Sequence, residues 1–577
     1  MRYLIQFLKT KKKMLFLIFL TALLQAYGTL IVPYFVAEII NVGIAQKDTS
    51  AIISFGLQML AAAGITALIT LWGSYLSADL ASLAGKHLRE KVFEKTQVLS
   101  VKDFNHLGTA SMITRATGDI NIIQQTIIMV LQMILPTPLI VIAAIIMTMA
   151  MSPALFYIPL AAMFIFCLVV FLLYKKAGPF SRTIQSRVDV INRVVRESLT
   201  GIRVIRAFDN AEYERNRSDD SFSEYASNVI RLNRRFAAFN PTVWAIMGIE
   251  MVAVVWFGGH FVTQGTLQIG SISAITEYTT LMLIYLMMTA MVIVMVPRMT
   301  ACLNRVQEVL DTVPEIEDIA EAHDQSNAKN PDKIVFRNVS FSYKGAEEPV
   351  LKGLNFVCEQ GKTTAIIGGT GSGKSTISGL MLRLYDIQEG QILLEGTDIQ
   401  NITQHELRER ISYVPQKAFL FSSTIAENLH MGNNDATLEE IRHAAKIAQA
   451  DSFINALEAG YDSPVAQTGA NFSGGQKQRL CIARALVKKA PIYIFDDSFS
   501  ALDFKTDATL RSALKRELQD AAIVIIAQRI STIMDADQII VLDAGSVAGI
   551  GKHEELMKMC SVYKEIVDSQ LTEKAVN

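Results

Sequence analysis

Cysteine is scarce in this chain and scattered along it. Cys167, Cys302, Cys358, Cys481 and Cys560 form no C-x-x-C pair or other metal-ligand spacing. That excludes a zinc ribbon or a disulfide-stapled scaffold and leaves free thiols in a reducing compartment as the expectation. An excess of either charge is missing too. Lys and Arg number 54 against 55 Asp and Glu, a formal net charge of −1, so no basic surface argues for nucleic acid as a partner. There is no short-period repeat and no low-complexity tract. His106 and His260 stand alone, so neither reads as a metal ligand.

Apolar residues, by contrast, are abundant. They make up 51% of the 577 residues, and the mean hydropathy is +0.30. The length argues for more than one domain, and the composition for membrane spans. Six stretches reach the roughly 20 residues that a helix needs to cross a hydrocarbon core. They lie near residues 14–36, 52–76, 127–150, 155–174, 242–262 and 272–296. Helices satisfy every backbone polar group in lipid without closing a barrel. Residues 1–13 are basic and precede an apolar run, as in a signal peptide. That run continues to about residue 36 without a small-residue cleavage site, and more spans follow, which argues against cleavage.

Charge in the loops sets the orientation. Lys9, Lys11, Lys12 and Lys13 precede the first span; Lys86, Arg89, Lys91, Lys95 and Lys102 follow the second; Lys175, Lys176, Arg182, Arg187, Arg193 and Arg196 follow the fourth. The connections 41–50, 151–153 and 263–270 are short and nearly uncharged. The positive-inside rule therefore places both termini and the two long loops, 79–123 and 175–240, in the cytoplasm. Those loops lack proline except Pro179, and apolar residues recur at helical spacing, as in Val188, Ile191, Val194, Val195 and Leu199. They read as helices continuing out of the membrane.

The character changes after Pro314. Residues 315–332 are acidic and polar and read as a linker. Beyond them, strand-like runs at 334–343, 363–367, 492–495 and 523–527 alternate with helical patterns, as in an α/β domain.

Within that domain, Gly368-Gly369-Thr370-Gly371-Ser372-Gly373-Lys374-Ser375 fits the phosphate-binding pattern G-x-x-x-x-G-K-[ST], between a strand and a helix that continues through Thr376. Glycines let the loop wrap phosphate with backbone N–H groups inward, and the helix N-terminus adds a favourable dipole. Lys374 is placed for the β- and γ-phosphates and Ser375 for Mg²⁺. Further on, the apolar run Ile492-Tyr493-Ile494-Phe495 ends in Asp496, an acid positioned to hold Mg²⁺ through water.

Between these motifs lies Ser473-Gly474-Gly475-Gln476, preceded by Phe472. The set resembles the ATP-binding cassette (ABC) family over essentially the whole chain, and the domain order is similar to that of its exporters. The resemblance implies that Tyr343 stacks on adenine, that Gln416 is the Q-loop glutamine touching Mg²⁺, that Ser500-Ala501-Leu502-Asp503 is the D-loop, and that Ser473–Gln476 is the signature loop, with Phe472 where Leu is usual. It also implies that two cassettes pair head to tail, so that Ser473 and the N–H groups near Gly475 reach ATP held by a partner.

Two positions depart from the family pattern. The residue after Asp496 is Asp497, where hydrolysing cassettes have Glu. Ala527-Gln528-Arg529 stands where they have A-H-R. A shortened side chain withdraws the carboxylate by about 1.5 Å, and a misplacement near 1 Å can cost about a hundredfold. Gln528 can hydrogen-bond phosphate but cannot titrate. With the signature loop intact, this combination resembles the impaired-site subunit of bacterial heterodimeric multidrug exporters.

In such exporters, tips of the cytoplasmic loops touch the cassettes. Phe104-Asn105-His106-Leu107-Gly108-Thr109 and Phe208-Asp209-Asn210-Ala211-Glu212-Tyr213 occupy the matching places. Inside the spans, Glu250 and Glu277 are costly carboxylates that suit a polar cavity or a partner. The sixth span is rich in methionine, including Met287 and Met291, which suits adaptable binding.

The expectation is therefore a six-helix membrane domain of the type IV (ABC exporter type I) fold over residues 1–314, a linker over 315–332, and an α/β P-loop ABC nucleotide-binding domain over 333–577. The implied cofactors are ATP and Mg²⁺. The implied partners are a second half-transporter, the bilayer and a hydrophobic or amphipathic compound, with no nucleic acid. The resemblance places the chain in a bacterial cytoplasmic membrane, with multidrug export as the first reading of its cargo. The alternatives are a lipid or peptide flippase, the peptide version weakened by the absence of a peptidase domain ahead of the first span, and a non-transporting ATP-gated regulator.

Overall fold

The computed structural model describes residues 2–318, 330–343 and 345–576. The central part of the expected linker lies outside the described residues. The chain divides into two compact units. One comprises Met1–Val98 and Leu107–Thr312, the other Leu99–His106 and Val313–Asn577.

The first unit is helical throughout. Among the described residues, five helices are long and apolar enough to cross a membrane: Lys12–Ile44, Thr49–Val98, Thr109–Met151, Ala211–Thr263 and Ile269–Asp311. A sixth helix, Tyr157–Thr200, carries the shorter apolar stretch Tyr157–Leu173, which covers most of the remaining expected span. The helix Thr49–Val98 has 50 residues. At 1.5 Å per residue it extends about 75 Å, more than twice the hydrocarbon thickness, so it must project well beyond the bilayer.

Periodicity did not mark the places where these helices change pitch. Ile39–Ile44, Arg115–Asp119 and Val130–Ile134 are wider, π-type segments. The last leads into Pro136–Met151 with proline in its first turn, where the missing N–H leaves no helical bond unmade. Small residues set the closest helix contacts. A Cβ on Gly28 would stand 2.0 Å from Thr66 Oγ1, so only glycine lets Lys12–Glu38 and Thr49–Val98 meet there. The core of this unit gathers Ile140, Ala144, Tyr278, Met282 and Leu283. Toward its Thr312 end, Arg305 grips Asp119 with two hydrogen bonds of 2.6 and 2.7 Å, while Arg115 pairs with Glu308 at 2.9 Å.

The second unit is α/β. Its strands are β1 (Asp332–Phe341), β2 (Leu351–Glu359), β3 (Thr363–Gly368), β4 (Glu389–Leu394), β5 (Thr397–Asp398), β6 (Ile411–Val414), β7 (Ile492–Asp496), β8 (Ala522–Ile526), β9 (Gln538–Asp543) and β10 (Ser546–Gly551). A four-stranded sheet has the order β2-β1-β4-β5, and a six-stranded sheet the order β10-β9-β3-β8-β7-β6. In the larger sheet β9, β3, β8, β7 and β6 run parallel, with β10 antiparallel at the edge. β7 and β8 are buried at every residue, which accounts for their unbroken apolar sequence. Two cores flank the sheets, one around Ile366, Ile494 and Val524, the other around Phe495, Ile525 and Leu480.

The segment Leu99–His106 groups with this unit. Lys102 forms an ion pair with Glu315, and Asp103 Oδ2 accepts the Glu315 backbone N–H at 3.1 Å. The first of the two expected loop tips thus has defined partners. The second, around Phe208, follows the short helix Ile202–Ala207, and Phe208 is exposed.

Candidate nucleotide site

Strand order explains why residues more than 150 positions apart converge. β3, β8, β7 and β6 are consecutive neighbours. The loop 368–373 leaves β3, Gln528 follows β8, Asp497 follows β7, and Gln416 follows β6. All four lie beyond the carboxyl ends of parallel strands, the usual place for a ligand in an open α/β sheet.

The glycine-rich loop is shaped for this task. Gly373 has φ +94° and caps the helix Lys374–Met381. A Cβ there would lie 2.5 Å from Leu351 Cδ2, so both backbone and space demand glycine. Lys374 Nζ donates to the carbonyls of Gly368 and Gly369 at 2.8 and 2.7 Å. The lysine therefore folds across the mouth of its own loop. Burial lowers its pKa, opposed by the charges of Asp497 and Asp496.

Asp496 is buried, and burial pushes its pKa up. Hydrogen bonds oppose the rise: Ser378 Oγ donates to Oδ2 at 2.9 Å, and Tyr413 Oη donates to the same oxygen at 3.4 Å. Ser375 Oγ stands 3.5 Å from Oδ1. Tyr343 sits above this helix, its Oη 3.1 Å from Thr376 Oγ1 and its ring edge-on to Phe341 and Tyr385.

Asp497 has φ +48°, a left-handed conformation that Asp tolerates better than most residues. Its backbone N–H donates to Ile526 O at 2.8 Å, tying the turn to β8. Its side-chain Oδ2 accepts from two amides, Gln528 Nε2 at 3.1 Å and Gln416 Nε2 at 3.3 Å. A water approaching this carboxylate meets one oxygen already engaged twice.

The signature loop lies at the start of the helix Gly474–Val487. Ser473 is its N-cap in a reciprocal capping box: Ser473 Oγ accepts the Gln476 N–H at 3.3 Å, and Gln476 Oε1 accepts the Ser473 N–H at 2.9 Å. A Cβ on Gly475 would sit 3.1 Å from Ala501 O in the D-loop. Phe472 is buried beside Phe453, so the aromatic replacing Leu serves packing. Gly474 has open space around it.

Sequence reading missed three residues that touch this site. Ser378 and Tyr413 steady Asp496. Gln570, on the C-terminal helix Ser561–Val576, brackets the loop after β8: its Nε2 donates to Gln528 O at 2.6 Å, and its Oε1 accepts the Ile530 N–H at 2.9 Å. Ser378 lies one helical turn past Ser375, a spacing that carried a signal; the other two depend on the fold.

The membrane-unit candidates do not converge. Glu250 is buried, and among the described residues neither carboxylate oxygen has a partner within hydrogen-bond geometry. Glu277 lines a different region, a cavity of about 680 Å³. Met287 packs against the helical core, while Met291 is exposed.

Comparison with known families agrees with both halves of this description. Residues 15–287 match the family described as ABC transporter transmembrane region, and residues 351–500 match the family described as ABC transporter. The chain is 34% identical over 573 residues to an "Uncharacterized ABC transporter ATP-binding protein" of Mycobacterium tuberculosis, covering 98% of this chain and 97% of the relative. The chain belongs to the ABC transporter family. It is also 33% identical over 496 residues to an "ATP-dependent lipid A-core flippase" of Desulfotalea psychrophila, with 84% of each chain covered. The structure of a bacterial Atm1-family ABC exporter with ATP bound superposes with a TM-score of 0.81 at 27% identity, covering 97% of this chain and 98% of that one.

This ABC transporter is thus an ATP-binding, ATP-hydrolysing translocase of the type IV exporter fold. It has a multi-pass membrane domain and a cytoplasmic nucleotide-binding domain, as in bacterial inner-membrane transporters.

Proposed function

We propose that this ABC transporter subunit moves an amphipathic, lipid-like compound across the membrane as one half of a heterodimer. In this reading its own ATP site holds nucleotide and hydrolyses it slowly, while its signature loop completes a competent site on the partner.

The observation that carries the asymmetry is the side chain of Asp497. It is one methylene shorter than the usual base and is occupied by Gln416 and Gln528. A general base has to reach its water at about 2.6–3.2 Å. The nucleotide-binding parts remain: Tyr343, the loop 368–373, Lys374, Ser375, Thr376 and Asp496. Ser473, Gly474, Gly475 and Gln476 remain as well, at a helix start free to face a partner's ATP.

The residues fit a magnesium ion. Ser375 Oγ and Asp496 Oδ1 offer hard oxygen donors 3.5 Å apart, with Gln416 close by, and the buried Asp496 carboxylate gains from a cation. When bound, the ion neutralises charge between the β- and γ-phosphates. The chain's own residues do the remaining work. Lys374 transfers from the loop carbonyls to phosphate, the 368–373 backbone orients it, and Ser378 and Tyr413 hold Asp496 in place.

Of the cargo readings, the lipid-flippase alternative draws more support than multidrug export. A relative covering 84% of this chain is named a lipid A-core flippase. A second such flippase, from Syntrophus aciditrophicus, is 31% identical over 520 residues and covers 87% of the chain.

The test is direct. The chain purified alone should hydrolyse ATP slowly, and addition of the correct second subunit should restore turnover together with movement of a labelled lipid between vesicle leaflets. Brisk turnover by the chain alone would remove the heterodimer reading.

A further inference from the structure

The cavity beside Glu277 lies between the helices Lys12–Glu38, Thr49–Val98 and Ile269–Ile293, all within the membrane unit. Its polar inventory is one-sided. Glu277 is exposed to it, with no hydrogen bond or ion pair among the described residues. Thr66 and Thr70 also line it, but their hydroxyls donate to the carbonyls of Ala62 and Thr66 at 2.7 and 2.8 Å. What they turn outward is oxygen lone pairs. Thr29 and Pro33 form another part of the wall. Proline has no N–H to return to the carbonyl four residues back, so the Thr29 carbonyl loses its helical donor.

Ser273 and Thr29 supply two more hydroxyls, and among the described residues the rest of the lining is apolar or glycine, with no Lys, Arg, His, Asn or Gln. The cavity therefore presents a carboxylate and several hydroxyl and carbonyl oxygens in an apolar wall, with no amide donor and no cation among the described residues. Its volume of about 680 Å³ is in the range of small-molecule sites.

Depth adds to the argument. Glu277 is eight residues from the helix start at Ile269, about 12 Å along the axis. Orientation by loop charge puts that start on the non-cytoplasmic side, so the carboxylate lies in the outer half of a core about 30 Å thick. An unpaired carboxylate at that depth is costly and calls for a cationic partner.

We propose that this cavity binds the ammonium head of an amphipathic substrate, with Glu277 as the counter-ion, the Thr29 carbonyl and the threonine oxygens accepting its N–H groups, and the apolar wall taking the chain. The proposal rests on the translocation reading above and narrows its cargo to amphipaths bearing a primary or secondary amine, whether a membrane lipid or a soluble compound. An anionic head would be repelled.

The test uses the full chain in lipid nanodiscs. It is titrated with a fluorescent long-chain primary alkylamine, its N-acetylated twin and its trimethylammonium counterpart. The primary amine should bind about tenfold or more tightly than the neutral twin, with the trimethyl compound between them because it keeps the charge and loses the donors. Glu277→Gln should remove the difference while leaving the twin's binding in place, and Glu277→Asp should keep part of it. Equal binding of amine and twin, or a Glu277→Gln loss shared equally by both, overturns the proposal. An acyl-labelled aminoethyl phospholipid and its glycerol-headed counterpart form a second arm. Glu277-dependent preference confined to the lipid pair identifies a lipid ligand, and preference confined to the alkylamine identifies a soluble one. Glu277-dependent binding without ATP-driven movement of any probe, once the chain and its second subunit are together in sealed vesicles with restored turnover, keeps the cavity and removes the translocation reading. ATP-driven movement of these probes indifferent to Glu277 does the opposite.

Discussion

Gln528 donates its side-chain N–H to Asp497 Oδ2 at 3.1 Å. The two positions on which the proposed slow site rests are therefore bonded to each other. Under the proposed reading they act as one unit, and changing one alone leaves a mismatched pair. Expressed without a partner, Asp497→Glu combined with Gln528→His should raise phosphate release by about tenfold or more, since a positioned base contributes at least that much. Each single change should give much less. A pair of reversions no faster than the parent would mean that the slow step lies elsewhere.

Gly475 and Asp497 should differ sharply in the assembled pair. Any side chain at Gly475 starts 3.1 Å from Ala501 O, so Gly475→Glu distorts both the signature loop and the D-loop. Turnover should fall by about a hundredfold, the scale of losing one preorganised donor. Asp497→Ala should change turnover less than about twofold if this chain's own site is the slow one, as proposed. Steady-state ATPase of both variants checks this, and near-normal turnover of Gly475→Glu would contradict the head-to-tail pairing.

Gln570→Ala should loosen the loop that carries Gln528. It removes two hydrogen bonds, to Gln528 O and from the Ile530 N–H, each worth about 1 kcal/mol. Hydrogen exchange at the Ile530 amide should quicken about fivefold or more while exchange in β3 stays unchanged. Gln570→Glu, which keeps the acceptor and loses the donor, should protect the Ile530 amide better than Ala does. Exchange at Ile530 indifferent to both substitutions would show that the helix Ser561–Val576 does not hold the loop in solution.

Lys333 and Glu395 form a buried ion pair at 2.6 Å, with side chains 2% and 4% exposed, and Arg410 approaches the other oxygen of Glu395 at 3.4 Å. Removing Lys333 takes away the shorter of these two contacts to a buried carboxylate and leaves the longer one to Arg410. Lys333→Met should therefore lower the stability of the cassette by about 3–5 kcal/mol. Lys333→Met with Glu395→Leu should recover most of that loss. Thermal unfolding of the full chain, followed in its cassette transition, measures both. Equal melting of single and double variants would mean the pair is not energetically linked.

The nucleotide loop was legible because its chemistry is local: glycines, lysine and serine at fixed spacing between a strand and a helix. The buried strands β3, β7 and β8 were legible as apolar runs. Contacts set by topology were not. Nothing in the spacing of Gln416, Asp497 and Gln528 says that β6, β7 and β8 are neighbours, and Gln570 reaches the site only because the last helix returns to it. β2, β4 and β10 alternate or break their apolar pattern and escaped notice; β9 escaped too, although Ile539–Leu542 is an unbroken buried apolar run. In the membrane unit, hydropathy located the spans, but π-type segments such as Arg115–Asp119 keep the same composition as their surroundings and leave no periodic mark. Glu250 and Glu277 looked alike as intramembrane acids; only packing separates a buried side chain from one that opens on a cavity.

Ser473 divides one hydroxyl between two duties. Its oxygen accepts the Gln476 N–H and so anchors the start of its own helix, which leaves its hydrogen for an acceptor off the helix end. Under head-to-tail pairing that acceptor is phosphate held by the other subunit. In genetic terms such a residue would work in trans. A lesion here would appear as a defect in a site whose own glycine-rich loop and metal-binding acid are wild type, and a second copy of the partner gene could not complement it.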